Sequence, residues 1–331
     1  MNIKKSTLTA AVSAIIGLGM AGQAAASVYG SAYTEINDLT VNFFNEGGAP
    51  IGAGSISSFN FGLTNTANLN GAAGISIGNC SGTVSNNNCS IPSPTLDASM
   101  VELGTSSRTE NSMPGYQGPG GNEYATADSV IWSAALTGDP VTHTEQIAES
   151  ELQTGTSGGS SANIQSSTGF TFTFELVGAN YMDVDFLADW DRLVAINDPS
   201  ASSHNAQANH NVSLRLSNDT DGNFVEWSPN GDTATGCLKS FGVCTEHDDD
   251  ADLNGVVSVS SDGASDWQFG FNDVFSMTFA GLYDGIWTFS LQSETSNNLS
   301  RQAVPEPTTL ALLGLGLAGI GAAGRRRRKH A

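Results

Sequence analysis

The chain has 331 residues, of which 33 are acidic and only 12 basic, for a formal charge of −21 at pH 7. A surface of that sign repels nucleic acid and anionic lipid and attracts cations, and no basic patch is present to neutralise phosphates. Nucleic acid is therefore not an expected partner.

In chain order, Lys4 and Lys5 precede an apolar run from Leu8 to Met20, followed by Ala24-Ala25-Ala26. A basic start, a short apolar segment and small residues predict a secretory signal peptide over 1–26. Cleavage after Ala26 would leave Ser27 first, with signal peptidase and the export translocon as partners. A retained membrane helix fits less well, because the run is short and ends in small residues. The expected exported region, 27–303, holds 32 acids against five basic residues, a net of −27.

Cys80 and Cys89 flank one polar loop, and Cys237 and Cys244 flank another. In an oxidising compartment two local disulfides that staple surface loops are expected, although four cysteines permit three pairings. A metal site is the weaker alternative, since neither pair has zinc-knuckle spacing.

Apolar residues then recur at every second position. Leu39, Val41 and Phe43 share a face, as do Phe59, Phe61 and Leu63. So do Phe170, Phe172, Phe174 and Leu176, then Val212, Leu214 and Leu216, then Val257 and Val259. Trp267, Phe269 and Phe271 follow, then Phe275, Met277 and Phe279, then Trp287, Phe289 and Leu291. Period-two alternation predicts strands with one face in a core and one in water. The last two runs read as a hairpin joined through Ala280–Gly285. The expected fold is mainly β: one antiparallel β-sandwich or jelly roll with long loops, two sandwiches being the alternative.

Gly104–Asn122 and Thr154–Gly169 read as loops, the second flexible. Between them Thr142–Leu152 predicts one short helix, with Thr142 and Glu145 as a capping box. Ala127–Leu136 fits strand or helix.

Asp250, Asp252, Asn254 and Gly255 match the D-x-D-x-N-G opening of a calcium loop, with Asp262 close to the closing position. The twelfth position is Ser261 instead of Glu, and no helix flanks the loop, so a solvated acidic turn competes with calcium. Asn218–Asn223 reads as a hairpin turn. Asp183, Asp185, Asp189 and Asp191 read as the wet face of a strand, with a glycosidase-like carboxylate pair as the sharper alternative. His143, His204, His210 and His247 read as surface residues, and no nucleophile elbow is present. Trp267 and Trp287 are expected in the core, and Trp227 is the surface candidate for stacking on a sugar.

The remaining segment, 304–331, contains Pro305-Glu306-Pro307, an uncharged apolar run over 308–323, then Arg325, Arg326, Arg327, Arg328 and Lys329. As a helix that run spans roughly 24 Å, slightly short of the about 20 residues a bilayer core needs. Its glycines allow close helix approach in lipid, and the basic cluster should stay cytoplasmic. An ordinary C-terminal anchor is one reading. These three parts in this order also resemble the PEP-CTERM sorting signal of Gram-negative bacteria, over about the last tenth of the chain. The resemblance implies a membrane protease-transpeptidase of the exosortase type as partner. It also implies cleavage near Pro305–Pro307 and delivery to the surface or the exopolysaccharide matrix. The same tail is also named after ice-binding proteins that carry it, which says nothing of the cargo.

The expected function is an exported, non-enzymatic surface or matrix protein. A carbohydrate- or ice-binding module is the alternative, and a secreted hydrolase the second.

Overall fold

The computed structural model describes residues 27–52, 56–83, 86–87, 95–112, 118, 121–132, 142–153, 159–199 and 201–303. The predicted signal peptide, the tail from Val304 onward and Cys89 lie outside the described residues.

The described residues form seventeen strands. They are β1 (Ser27–Phe44), β2 (Pro50–Ile51), β3 (Ile56–Leu69), β4 (Ala72–Thr83), β5 (Asn86–Asn87), β6 (Thr95–Gly104), β7 (Tyr124–Trp132) and β8 (Thr142–Gln153). There follow β9 (Gly159–Leu176), β10 (Tyr181–Asn197), β11 (Ala201–Asn218), β12 (Phe224–Trp227), β13 (Cys237–Lys239) and β14 (Val243–Asp249). The last are β15 (Val256–Val259), β16 (Ser265–Ala280) and β17 (Gly285–Ala303). One sheet runs β14-β16-β10-β1-β8-β7-β6 with β2 on β1; the other runs β13-β12-β11-β17-β9-β3-β4-β5 with β15 on β11. Every pairing between named strands is antiparallel. The two sheets pack face to face through β1, β8 and β7 against β17, β9 and β3.

The interior has two apolar regions. Phenylalanines from β3, β9, β10, β16 and β17 fill one, with Trp227 and Trp287. Alanines, valines and isoleucines fill the other, among them Val28, Ala32, Ala148, Ile164 and Ala208. A polar belt lies between them. Asn65, Ser166, Thr295 and His210 are successive cross-strand partners in one sheet. Ser129, Gln146, Thr34 and Trp190 are successive partners in the other. Ser129 Oγ donates to Asn65 Oδ1 at 2.8 Å, and Gln146 Nε2 donates to Ser293 Oγ at 2.5 Å. Deeper still, Asn297 Nδ2 donates to the Gly30 and Ala148 carbonyls. Buried polar groups cost free energy unless paired, so these bonds favour one relative placement of the two sheets.

The structure departs from the expectations at named places. Thr142–Leu152 is strand, not helix: β8 pairs along its length with β1 and β7. Both of its faces are largely buried, so it lacks the alternation that marks a half-exposed strand. Thr154–Gly169 is not one flexible loop, because β9 begins at Gly159; its inner Ser166 and Thr168 belong to the polar belt and hide the period. Ala127 to Trp132 is strand. Ala280–Gly285 is not a hairpin, since β16 and β17 lie in different sheets. Asn218–Asn223 does join a hairpin, β11 to β12.

Ser27 lies opposite Asn197, and Ala303 lies opposite Ala201. Both ends of the described chain therefore emerge at one pole, beside the turn from β10 to β11.

Candidate functional site

The acidic loop is built into the edge of the sandwich. Leu253 is fully buried in the aromatic region. Asn254 Oδ1 accepts from the Val212 amide, and its Nδ2 donates to the Val212 and Pro229 carbonyls. Asp252 accepts from the Asn254 amide, and its own carbonyl accepts from Arg192 Nη2 at 3.0 Å. Asp250 accepts from the Val274 amide, whereas Asp262 accepts from the Asp198 amide. The carboxylates and the carboxamide of Asp250, Asp252, Asn254 and Asp262 thus each serve a different partner. A Cβ at Gly255 would lie 1.9 Å from Arg192 Nη1, so a larger residue there would have to push the buried Arg192 guanidinium aside. Arg192 is buried against Trp190, 4.8 Å from its ring. Burial lowers its pKa, and the carboxylates of Asp252 and Asp266 partly offset this.

Cys237 and Cys244 form a disulfide. It closes the short loop between β13, an edge of one sheet, and β14, an edge of the other, so the expected local staple also ties the two sheets together. Cys80 is buried and disulfide-bonded.

Trp227 is in the core, not on the surface: it is fully buried and packs on Phe186. Among the described residues the most exposed aromatics are Phe269 and Phe271, 46% and 50% exposed, with Trp132 at 37%. Trp267 stacks on Phe269 with ring centroids 4.3 Å apart. Their parity matches Phe275, Met277 and Phe279, but an irregularity in the β10–β16 register intervenes, where Asn272 has φ +51°. One extra residue moves every later side chain to the opposite face.

The outer face of the β1 sheet carries the ionisable groups. Arg108, in the β6–β7 connection, pairs with Glu149 on β8 at 2.6 Å, and both side chains are buried. The Tyr29 hydroxyl donates to the same carboxylate. Asp191 lies beside them, half-buried with its Oδ1 shut off from water; burial, and then Glu149, push it up to about 8, with Arg108 opposing.

Further along that face, Glu35 on β1 lies directly opposite Glu145 on β8. His143 Nε2 approaches Glu35 Oε1 at 3.2 Å and Glu145 Oε1 at 3.3 Å. Tyr33 and Asn37 donate to Glu35 at 2.6 and 2.8 Å. Asn37, two residues on, shares the strand face of Glu35, and the register shifts only beyond it, where Asp38 has φ +55°. Burial favours neutral Glu35, but His143, Tyr33 and Asn37 outweigh it and bring the carboxyl to about 2. Burial likewise opposes protonation of His143, yet Glu145 and Glu35 raise it to about 9. Sequence reasoning missed this group, because His143 read as a surface residue and Glu145 as part of a helix cap. The readable signal was Tyr33-x-Glu35 and His143-x-Glu145, each two apart and so on one strand face. Of the other histidines, His247 on β14 is exposed, as expected, whereas on β11 His204 is half-buried and His210 is buried.

The outer face of the other sheet is mostly uncharged, Glu175, Glu294 and the Arg215–Glu226 pair being exceptions. Gly62 and Gly169 are cross-strand partners, and Gly169 lies opposite Gln292. Two adjacent residues without side chains leave a hollow of about 460 Å³, walled by Asn60, Thr64, Gln165, Asn211, Gln292 and Glu294.

A family model of the PEP-CTERM protein-sorting motif matches residues 303–328. That motif marks the chain as one exported and sorted by an exosortase-type protease. Comparison with curated proteins and with solved structures gives no match.

Proposed function

We propose that the chain is the precursor of a non-enzymatic protein of the cell surface or exopolysaccharide matrix, with Ser27–Ala303 as its finished part. The observation that carries this is the sorting motif over 303–328, which starts at Ala303, the last residue of β17. Signal peptidase acts at Ala26 and the exosortase-type protease near Pro305-Glu306-Pro307. The apolar run over 308–323 holds the precursor in the inner membrane until then. The non-enzymatic reading is supported by how the acids on β10 are engaged. Asp183 accepts from Thr278 Oγ1, Asp189 accepts from the Asn272 amide and Asp191 is half-buried, while Asp185 alone of the four is exposed, so no two of them present a free carboxylate pair. Deleting Pro305–Pro307 should leave full-length precursor in the inner membrane; unchanged release and size would refute the proposal.

A second reading, glycan binding, is favoured by the hollow over Gly62 and Gly169. Its amides and hydroxyls are of the kind that bond to sugar hydroxyls, and its walls carry one carboxylate. Retention of the chain on a glycan array, lost in Gly62→Phe, is the expected result.

A further inference from the structure

We propose that Glu35, His143 and Glu145 form an open site for a divalent transition-metal ion, best matched by Zn²⁺. The site lies outside the sorting machinery and does not depend on it.

Donor chemistry is the first argument. One imidazole nitrogen and two carboxylate oxygens from adjacent strands suit zinc, which in open sites takes three protein ligands and a water. The three donor atoms lie within 4.8 Å of one another.

Spacing is the second. A tetrahedron with bonds of about 2.05 Å has ligand–ligand edges of about 3.3 Å. The two edges from His143 Nε2 measure 3.2 and 3.3 Å, and the third lies within 4.8 Å, so an ion fits the two histidine edges as they stand and sets the third by adjusting the carboxylates.

Charge is the third. Glu35 and Glu145 bring two carboxyl groups face to face across the strand pair, and Asp189, the cross-strand partner of Glu35, adds a third acidic side chain beside them, so the position favours a cation.

Orientation is the fourth. Ligand carboxylates and imidazoles in metal sites are held by outer hydrogen bonds and packing. Tyr33 and Asn37 hold Glu35, and Trp132 packs edge-on against the His143 ring at 4.7 Å. The His143 side chain is 31% exposed, which leaves a side open for water and for entry of the ion.

The experiment uses the full chain in detergent, washed with chelator, and ZnCl₂ titrated against a chromophoric competitor. One equivalent should bind with a dissociation constant of about 1 μM or tighter. His143→Ala and Glu145→Gln should each weaken it at least tenfold, while Asp250→Asn, at the acidic loop, leaves it unchanged. Co²⁺ in place of Zn²⁺ should give the intense visible bands of a four-coordinate centre, absent in His143→Ala. Zinc uptake that is undiminished in a folded His143→Ala chain overturns the site. So does a wild-type chain that binds zinc no tighter than about 100 μM, a result that stands even if neither variant folds.

Discussion

The two outer faces of the sandwich are opposites. One carries Glu35, Glu145, Glu149, Asp191, Tyr29 and Arg108, many of them buried and bonded to one another. The other carries serine, threonine, asparagine and glutamine over β3, β9, β17 and β11, open to water apart from the hollow at Gly62. The difference lies in what covers each face. On the first, Arg108 reaches Glu149, the Asn111 amide donates to Asp128, and the Gly118 amide donates to Glu149. The β6–β7 connection thus replaces water with fixed donors. Such a face is stable only while its charges stay matched, whereas the mostly uncharged face tolerates change.

The largest effect should follow breaking that match. Arg108→Ala leaves Glu149 buried without its cation and should cost about 3–5 kcal/mol of unfolding free energy, measured by urea titration. Arg215→Ala removes an exposed pair with Glu226 and should cost less than about 1 kcal/mol.

Next comes the covalent tie between the sheets. Replacing Cys237 and Cys244 together by serine should cost roughly 2–3 kcal/mol, given the short loop they close. Urea titration of the double-serine chain against wild type, both unreduced so that the Cys80 disulfide stays closed, checks it.

The covered face also sets a pH dependence. Asp191 titrates near 8 when folded and near 3.9 when unfolded. The folded state therefore holds an extra proton between those values. That stabilising contribution is complete below about 4 and declines as pH rises through 8, by at most roughly 1.4 kcal/mol per unit. Asp191→Asn should flatten the decline, so its advantage over wild type grows from pH 4 to pH 8.

The smallest effect belongs to the mostly uncharged face. Gly62→Phe meets nothing within 4 Å of its Cβ. It should change stability by less than about 1 kcal/mol while filling the hollow. A loss of several kcal/mol would show that this face is as constrained as the other.

The same contrast explains what could be read from the sequence. The open sheet announced itself, because Phe170, Phe172 and Phe174 face the core while Thr171, Thr173 and Glu175 face outward. β8 stayed hidden: Glu145, Glu149 and Glu151 are buried on one face and Gln146 and Ser150 on the other. Polar residues on both sides erase the period that pattern reading relies on. Phe269 and Phe271 misled for a different reason, since the irregularity at Asn272 reverses their side while leaving their numbering parity intact. The Glu35–His143–Glu145 group depends on register between strands more than 100 residues apart, and spacing along the chain does not carry that information. The sorting motif, a purely local signal, was legible in full.

Ser27 and Ala303 leave the same pole of the sandwich, next to the turn at Asp198, where Arg301 pairs with the buried Asp198 carboxylate. Under the processing proposed above, tether and leader would both join the sandwich at that pole, opposite the disulfide-tied, phenylalanine-packed one. A single grip there would hold the two strand ends, β1 and β17, together.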